Sequence, residues 1–145
     1  MATTKADNFT QNTFNNPYGN KSVALAKIAS FTTLAAGDTI DLMELPAGAQ
    51  IVSGFCVVAT AITTATLAIG VRYADGTSTG GTTGTAVLSG TGVALTTALA
   101  PQLLNFVPFT NDSDTIVYAT APNIASPGAS IAFACSIEYE STGTP

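Results

Sequence analysis

Apolar and polar residues alternate with a period of two along much of this chain, the mark of strands with one buried face. The clearest case is near the end, where Ile131, Phe133, Cys135, Ile137 and Tyr139 alternate with Ala132, Ala134, Ser136, Glu138 and Glu140. A second is Leu67, Ile69, Val71 and Tyr73 against Ala68, Gly70 and Arg72. In a third, Ile40 and Leu42 alternate with Thr39, Asp41 and Met43 before a turn at residues 46–49. Two longer stretches, 23–34 and 51–62, are almost continuously apolar. Shorter strands are expected at 86–88 and 93–95, on either side of a turn at 89–92, and at 116–120. The apolar run at 103–109 contains Pro108, which cannot donate to a ladder and so marks an edge or a strand end. On these patterns Tyr73, Tyr118 and Tyr139 all look inward.

About eight strands separated by turns, with no amphipathic helix of three turns, predict an all-β fold, an antiparallel β-sandwich. A jelly roll of about eight strands fits the count and the lengths. Immunoglobulin-like connectivity is the alternative that strand pattern does not separate. No repeat of 20–50 residues is visible, which removes solenoids and propellers. The sandwich is expected over 22–140, with a flexible tail at 141–145 and an extended N-terminal arm at 1–21.

The arm has five Asn, and Phe9, Phe14 and Tyr18 stand between polar residues with no helical or strand period. One reading is a disordered tail. The other is an arm that lays these three rings into pockets on a neighbouring subunit, because disordered tails are poor in aromatics.

Composition narrows the function. The chain has 145 residues, enough for one domain and a core that needs neither disulfide nor metal. Charged residues make up 9%, against about 25% in an ordinary soluble domain. Four basic side chains against nine acidic ones give a net charge of −5, which leaves no surface for nucleic acid or anionic lipid. There is no His, so the usual general base and neutral metal ligand are missing, and no enzyme is expected. Few charges on a folded domain favour association, and much of the surface is expected to lie under neighbouring subunits. A neutral Thr/Ser/Gly surface on a monomer is the alternative.

The first 22 residues hold no apolar core of signal-peptide length, so synthesis in a cytoplasm is expected. Residues 51–71 are uncharged, but eleven β-branched residues, five hydroxyls, Gly54 and Gly70 suit two strands better than a membrane helix.

Candidate chemistry is sparse. Cys56 and Cys135 each lie in an apolar run; a disulfide joining two sheets is one reading, and two free buried thiols are the one preferred here. Asp38 and Asp41 are separated by an odd spacing, which puts them on opposite faces of a strand. Asn111 to Asp114 lacks the Gly and Glu of a calcium loop and reads as a turn or Asx cap. The Gly-rich loop at 76–85 is followed by no Lys-Ser/Thr and no helix, which removes a phosphate loop. No cofactor and no metal are expected.

Three segments carry a resemblance. In 35–52 a Leu45-Pro46-Ala47-Gly48-Ala49 turn joins two strands; 66–76 is a strand closing on Asp75-Gly76; and 119–128 is a Pro/Gly loop leading into the last strand. Together they resemble small structural proteins of tailed bacteriophages, in particular head decoration (cement) proteins, over about residues 22–140. The resemblance implies a non-enzymatic sandwich or jelly roll, often trimeric, on the outer surface of the capsid, where it bridges major capsid protein subunits. A host- or glycan-binding head-fibre or adhesin module, and a minor tail or neck protein, are the alternatives.

Overall fold

In the computed structural model the described residues are 3–7, 9, 21–31, 38–59, 66–76, 93–94, 98–120 and 131–141. Their regular structure is all strand: β1 (Thr3–Lys5), β2 (Lys21–Phe31), β3 (Thr39–Leu45), β4 (Ala49–Val58), β5 (Thr66–Tyr73), β6 (Val93–Ala94), β7 (Gln102–Leu103), β8 (Phe109–Thr110), β9 (Thr115–Thr120) and β10 (Ile131–Ser141). One sheet runs β1-β3-β9-β5-β6 and the other β2-β10-β4-β7, with β8 also pairing β4.

The connectivity follows from nested antiparallel pairs. With β1 and β8 set aside, the first strand pairs the last (β2 with β10) and the second pairs the second-last (β3 with β9). The third pairs the third-last (β4 with β7), and β5 pairs β6 as the innermost hairpin. A long hairpin folded over in this way is a jelly roll. The order of strands thereby removes the immunoglobulin-like alternative.

The inner faces of both sheets build one core. Leu67, Ile69 and Val71 of β5, Val117 and Ala119 of β9, and Ile40 and Leu45 of β3 come from one side. Ala24, Ala26 and Ile28 of β2, Ile51 and Val58 of β4, and Phe133, Ile137 and Tyr139 of β10 come from the other. Gly54 belongs to this packing. A Cβ there would meet the Ser136 carbonyl oxygen at 2.7 Å and the Leu104 side chain at 2.9 Å, so only glycine lets Leu104 close over β4.

Several details differ from the sequence pattern. Met43 is fully buried, because a register shift between Asp41 and Met43 inserts Leu42 as an extra residue and moves Met43 to the core face. Tyr118 lies on the outer face of β9, where Val117 and Ala119 point inward. Thr3–Lys5, expected to show no strand character, pairs in parallel with β3, Thr3 opposite Thr39 and Lys5 opposite Asp41. Three residues are too few to display a period, and a distant partner sets their conformation. The run at 103–109, by contrast, is interrupted as Pro108 implies, leaving the two-residue strands β7 and β8 beside β4.

Two of the expected turns, at 46–49 and 111–114, fall in place; those at 63–64, 89–92 and 122–128 lie outside the described residues. Gly48 has φ 77°, the left-handed region that glycine tolerates, and Ala49 N–H closes the turn on the Pro46 carbonyl at 3.2 Å. Asp114 accepts from Ala47 N–H at 2.9 Å, so the 111–114 turn clamps this one. The expected strand at 86–88, the loop at 77–85 and residues 142–145 lie outside the described residues.

Candidate assembly surface

The two sheets present different outer faces. On the β3-β9-β5 side, Arg72 donates to Asp41 at 2.5 Å and its guanidinium lies 5.0 Å from the centre of the Tyr118 ring. Asp41 is only 3% exposed, yet it faces away from the core; an ionised carboxylate there needs a partner, and Arg72 supplies it. On this face the one buried carboxylate, Asp41, is paired within the chain.

The outer face of β2-β10-β4-β7 carries an exposed apolar row between polar ones. Register places Leu25 opposite Ser136, Ser136 opposite Phe55, and Phe55 opposite Leu103, so one row crosses all four strands. Leu25, Phe55 and Leu103 are 49%, 41% and 79% exposed. The neighbouring row holds exposed Val23, then Glu138 and Ser53, whose hydroxyl donates to the Glu138 carboxylate.

The reason is visible strand by strand. A strand with one buried face alternates, whereas one buried on both faces reads as a continuous apolar run. β5 and β10 alternate cleanly. β2 and β4 do not: β2 turns Ala24, Ala26 and Ile28 to the core and Val23 and Leu25 outward, while β4 turns Phe55 and Val57 outward. Their outer faces carry side chains of a buried surface, and the described part of the chain leaves them open.

A cleft of about 150 Å³ continues this face, lined by Lys27, Val57, Ala59, Leu99 and Ala134 among others. Leu99 forms its wall with φ 58°, a left-handed conformation that a leucine adopts at a cost, while 74% of its surface is exposed. Its N–H donates to the Val58 carbonyl at 2.7 Å, which fixes the strained turn to the end of β4. Strain of this kind collects at sites that meet ligands or partners.

Of the three arm residues, Phe9 is buried within its own chain, with the Lys5 ammonium 4.7 Å from its ring centre. Asp7 ties this segment to β2, its N–H donating to the Lys27 carbonyl at 2.9 Å and its carboxylate accepting from Ala29 N–H at 2.7 Å. Phe14 and Tyr18 lie outside the described residues. The arm therefore starts as part of the sandwich.

Cys56 and Cys135 are free and buried, and they sit opposite one another on β4 and β10. They belong to one sheet, which corrects the reading of a bridge between two sheets. Among the described residues no group of three or more His, Cys, Asp or Glu side chains gathers as a metal site, and no helix is long and apolar enough to cross a membrane.

No protein-family model and no curated protein sequence matches this chain. The fold is similar to a chain of the capsid of Ralstonia phage GP4, 21% identical, with a TM-score of 0.74 over 99% of this chain and 100% of that one. It is also similar to a chain of the cyanophage Pam1 capsid asymmetric unit, at 19% identity and TM-score 0.60 over 90% and 94%. A chain from the acid-stable capsid of Helicobacter pylori bacteriophage KHP30 follows at 18% and 0.57, over 88% and 92%. At these identities the likeness is one of fold.

Proposed function

We propose that this chain is a non-enzymatic structural protein of a bacteriophage virion, a decoration or cement protein that docks on the outer surface of the head and bridges major capsid protein subunits. The observation that carries the reading is the open apolar row Leu25–Phe55–Leu103 on strands whose sequence is that of a surface buried on both sides. The similar chains support it, since each comes from a phage capsid and each is matched over nearly its whole length.

The physics asked of such a protein is modest. Apolar contact at roughly 25 cal/mol per Å² supplies the attraction, with no catalytic group, cofactor, nucleic acid or membrane involved. A homotrimer, matched to a three-fold site of the shell, would multiply weak contacts through avidity. In this reading the arm adds contacts through Phe14 and Tyr18, while Phe9 anchors its base. The chain folds in the host cytoplasm and joins the head afterwards.

The test is reconstitution on heads purified from a mutant of the encoding phage that lacks this chain. Purified protein should sediment with the heads and saturate at a copy number comparable to the major capsid protein. Protein left in the supernatant would overturn the reading. A few copies per particle would point to the neck or tail instead. Deleting residues 10–20 rather than 1–20 isolates the arm, because the first nine residues hold the edge of β3 and the end of β2.

A further inference from the structure

Cys56 and Cys135 are direct partners in the antiparallel register of β4 and β10. Opposed residues in such a pair have Cα atoms about 4.5 or about 5.5 Å apart, according to their place in the ladder. A disulfide spans Cα separations of roughly 4.4–6.8 Å, so either place lies within bridging range without strand movement. Both side chains point into the core with no exposed surface, and their sulfurs are in contact at 2.6 Å. Nothing in the fold has to open a path for one thiol to reach the other.

We propose that Cys56 and Cys135 are a disulfide site, a pair of thiols in the newly folded chain that becomes a covalent tie between β4 and β10 when a small disulfide such as oxidised glutathione is the oxidant. The inference stands apart from the docking role. One cysteine, as thiolate, attacks the glutathione disulfide; a protein–glutathione mixed disulfide forms and one glutathione thiolate leaves. The second cysteine then attacks the protein sulfur of the mixed disulfide, the second glutathione leaves, and the two thiol protons pass to solvent or to the departing thiolates. Two cysteine thiols are oxidised and one glutathione disulfide is reduced to two thiols.

Burial sets the rate. Desolvation, with the adjoining Cys135 thiol adding to it, pushes the Cys56 thiol well above its ordinary range, and the attacking thiolate is scarce. Closure is therefore slow in the intact sandwich and fast while the chain folds. The cysteines are 79 positions apart, so the bond closes a long loop and restricts the unfolded chain. It also sits directly beneath Phe55 and Ser136, their neighbours on the strands that carry the apolar row.

The test is refolding of the full chain in oxidised glutathione, against refolding in a reductant. The oxidised product should weigh about 2 Da less, lose both thiols to titration in denaturant, and melt several degrees higher, all reversed by reduction. The Cys135→Ala variant should show neither the mass loss nor the gain in melting temperature. If that variant does not fold, the comparison of wild-type protein with and without reductant decides alone. Two thiols still titrating after complete refolding, a stable glutathione adduct, or disulfide-linked dimers would each overturn the proposal.

Discussion

Phe55 on β4 stands directly opposite Leu103 on β7, and both side chains turn away from the core with 41% and 79% of their surface open. Threonine at both positions keeps the preference for extended backbone while removing the apolar bulk. The double variant Phe55→Thr/Leu103→Thr should bind heads at least about tenfold more weakly, with stability changed by no more than about 1 kcal/mol. Sedimentation isotherms and thermal melts read the two effects separately.

Leu99 offers a test in which stability and docking move in opposite directions. Glycine adopts φ 58° without the clash that a leucine Cβ meets, and the leucine side chain is 74% exposed. Leu99→Gly should leave stability unchanged or raise it by up to about 1 kcal/mol, and should weaken binding to heads. A loss of stability above about 1 kcal/mol would mean that Leu99 serves the fold of its own chain.

On the β3-β9-β5 face, removing Arg72 leaves the Asp41 carboxylate buried without its cation. Arg72→Met should cost roughly 1–3 kcal/mol in denaturant unfolding, since it leaves the Asp41 carboxylate without its partner in a part-buried pair. Adding Asp41→Asn should recover part of that loss, as a double-mutant cycle would register.

The fold was largely readable where one face alone is buried. β5 and β10 alternate without interruption, and the Pro46–Ala49 turn carries its glycine at the left-handed position. What the sequence hid has a common cause: pairing between segments far apart in the chain. The bulge at Leu42 depends on β9, and β1 exists only because β3 offers it an edge. The apolar runs containing β2 and β4 were visible as strands. Which of their residues face out became readable only once β10 fixed the register, and that register defines the candidate surface. Of the aromatic arm, Phe9 is buried within its own chain beside Lys5, while Phe14 and Tyr18 belong to the proposal alone.

Tyr139 and, in the reduced chain, Cys56 both weaken the fold in alkali. Burial holds the Tyr139 phenol above the ordinary value of about 10, although the neighbouring Ser22 hydroxyl acts the other way. The folded state therefore favours the neutral phenol. Its contribution is fully present below the unfolded pKa and is lost as pH rises through the folded one. The Tyr139 part of the decline should set in above about pH 10, and Tyr139→Phe should remove that part while leaving the Cys56 part in place. Denaturant titrations across pH 8–12 would reveal the difference, in approximate steps of one pH unit.

The most direct test of the assembly role is a cryo-electron microscopy map of heads saturated with the purified chain. The account predicts regular density on the outside of the shell, with the β2-β10-β4-β7 sheet turned toward a neighbouring subunit and Leu25, Phe55 and Leu103 covered. Bare heads, or ordered density in which that row faces solvent, would contradict it.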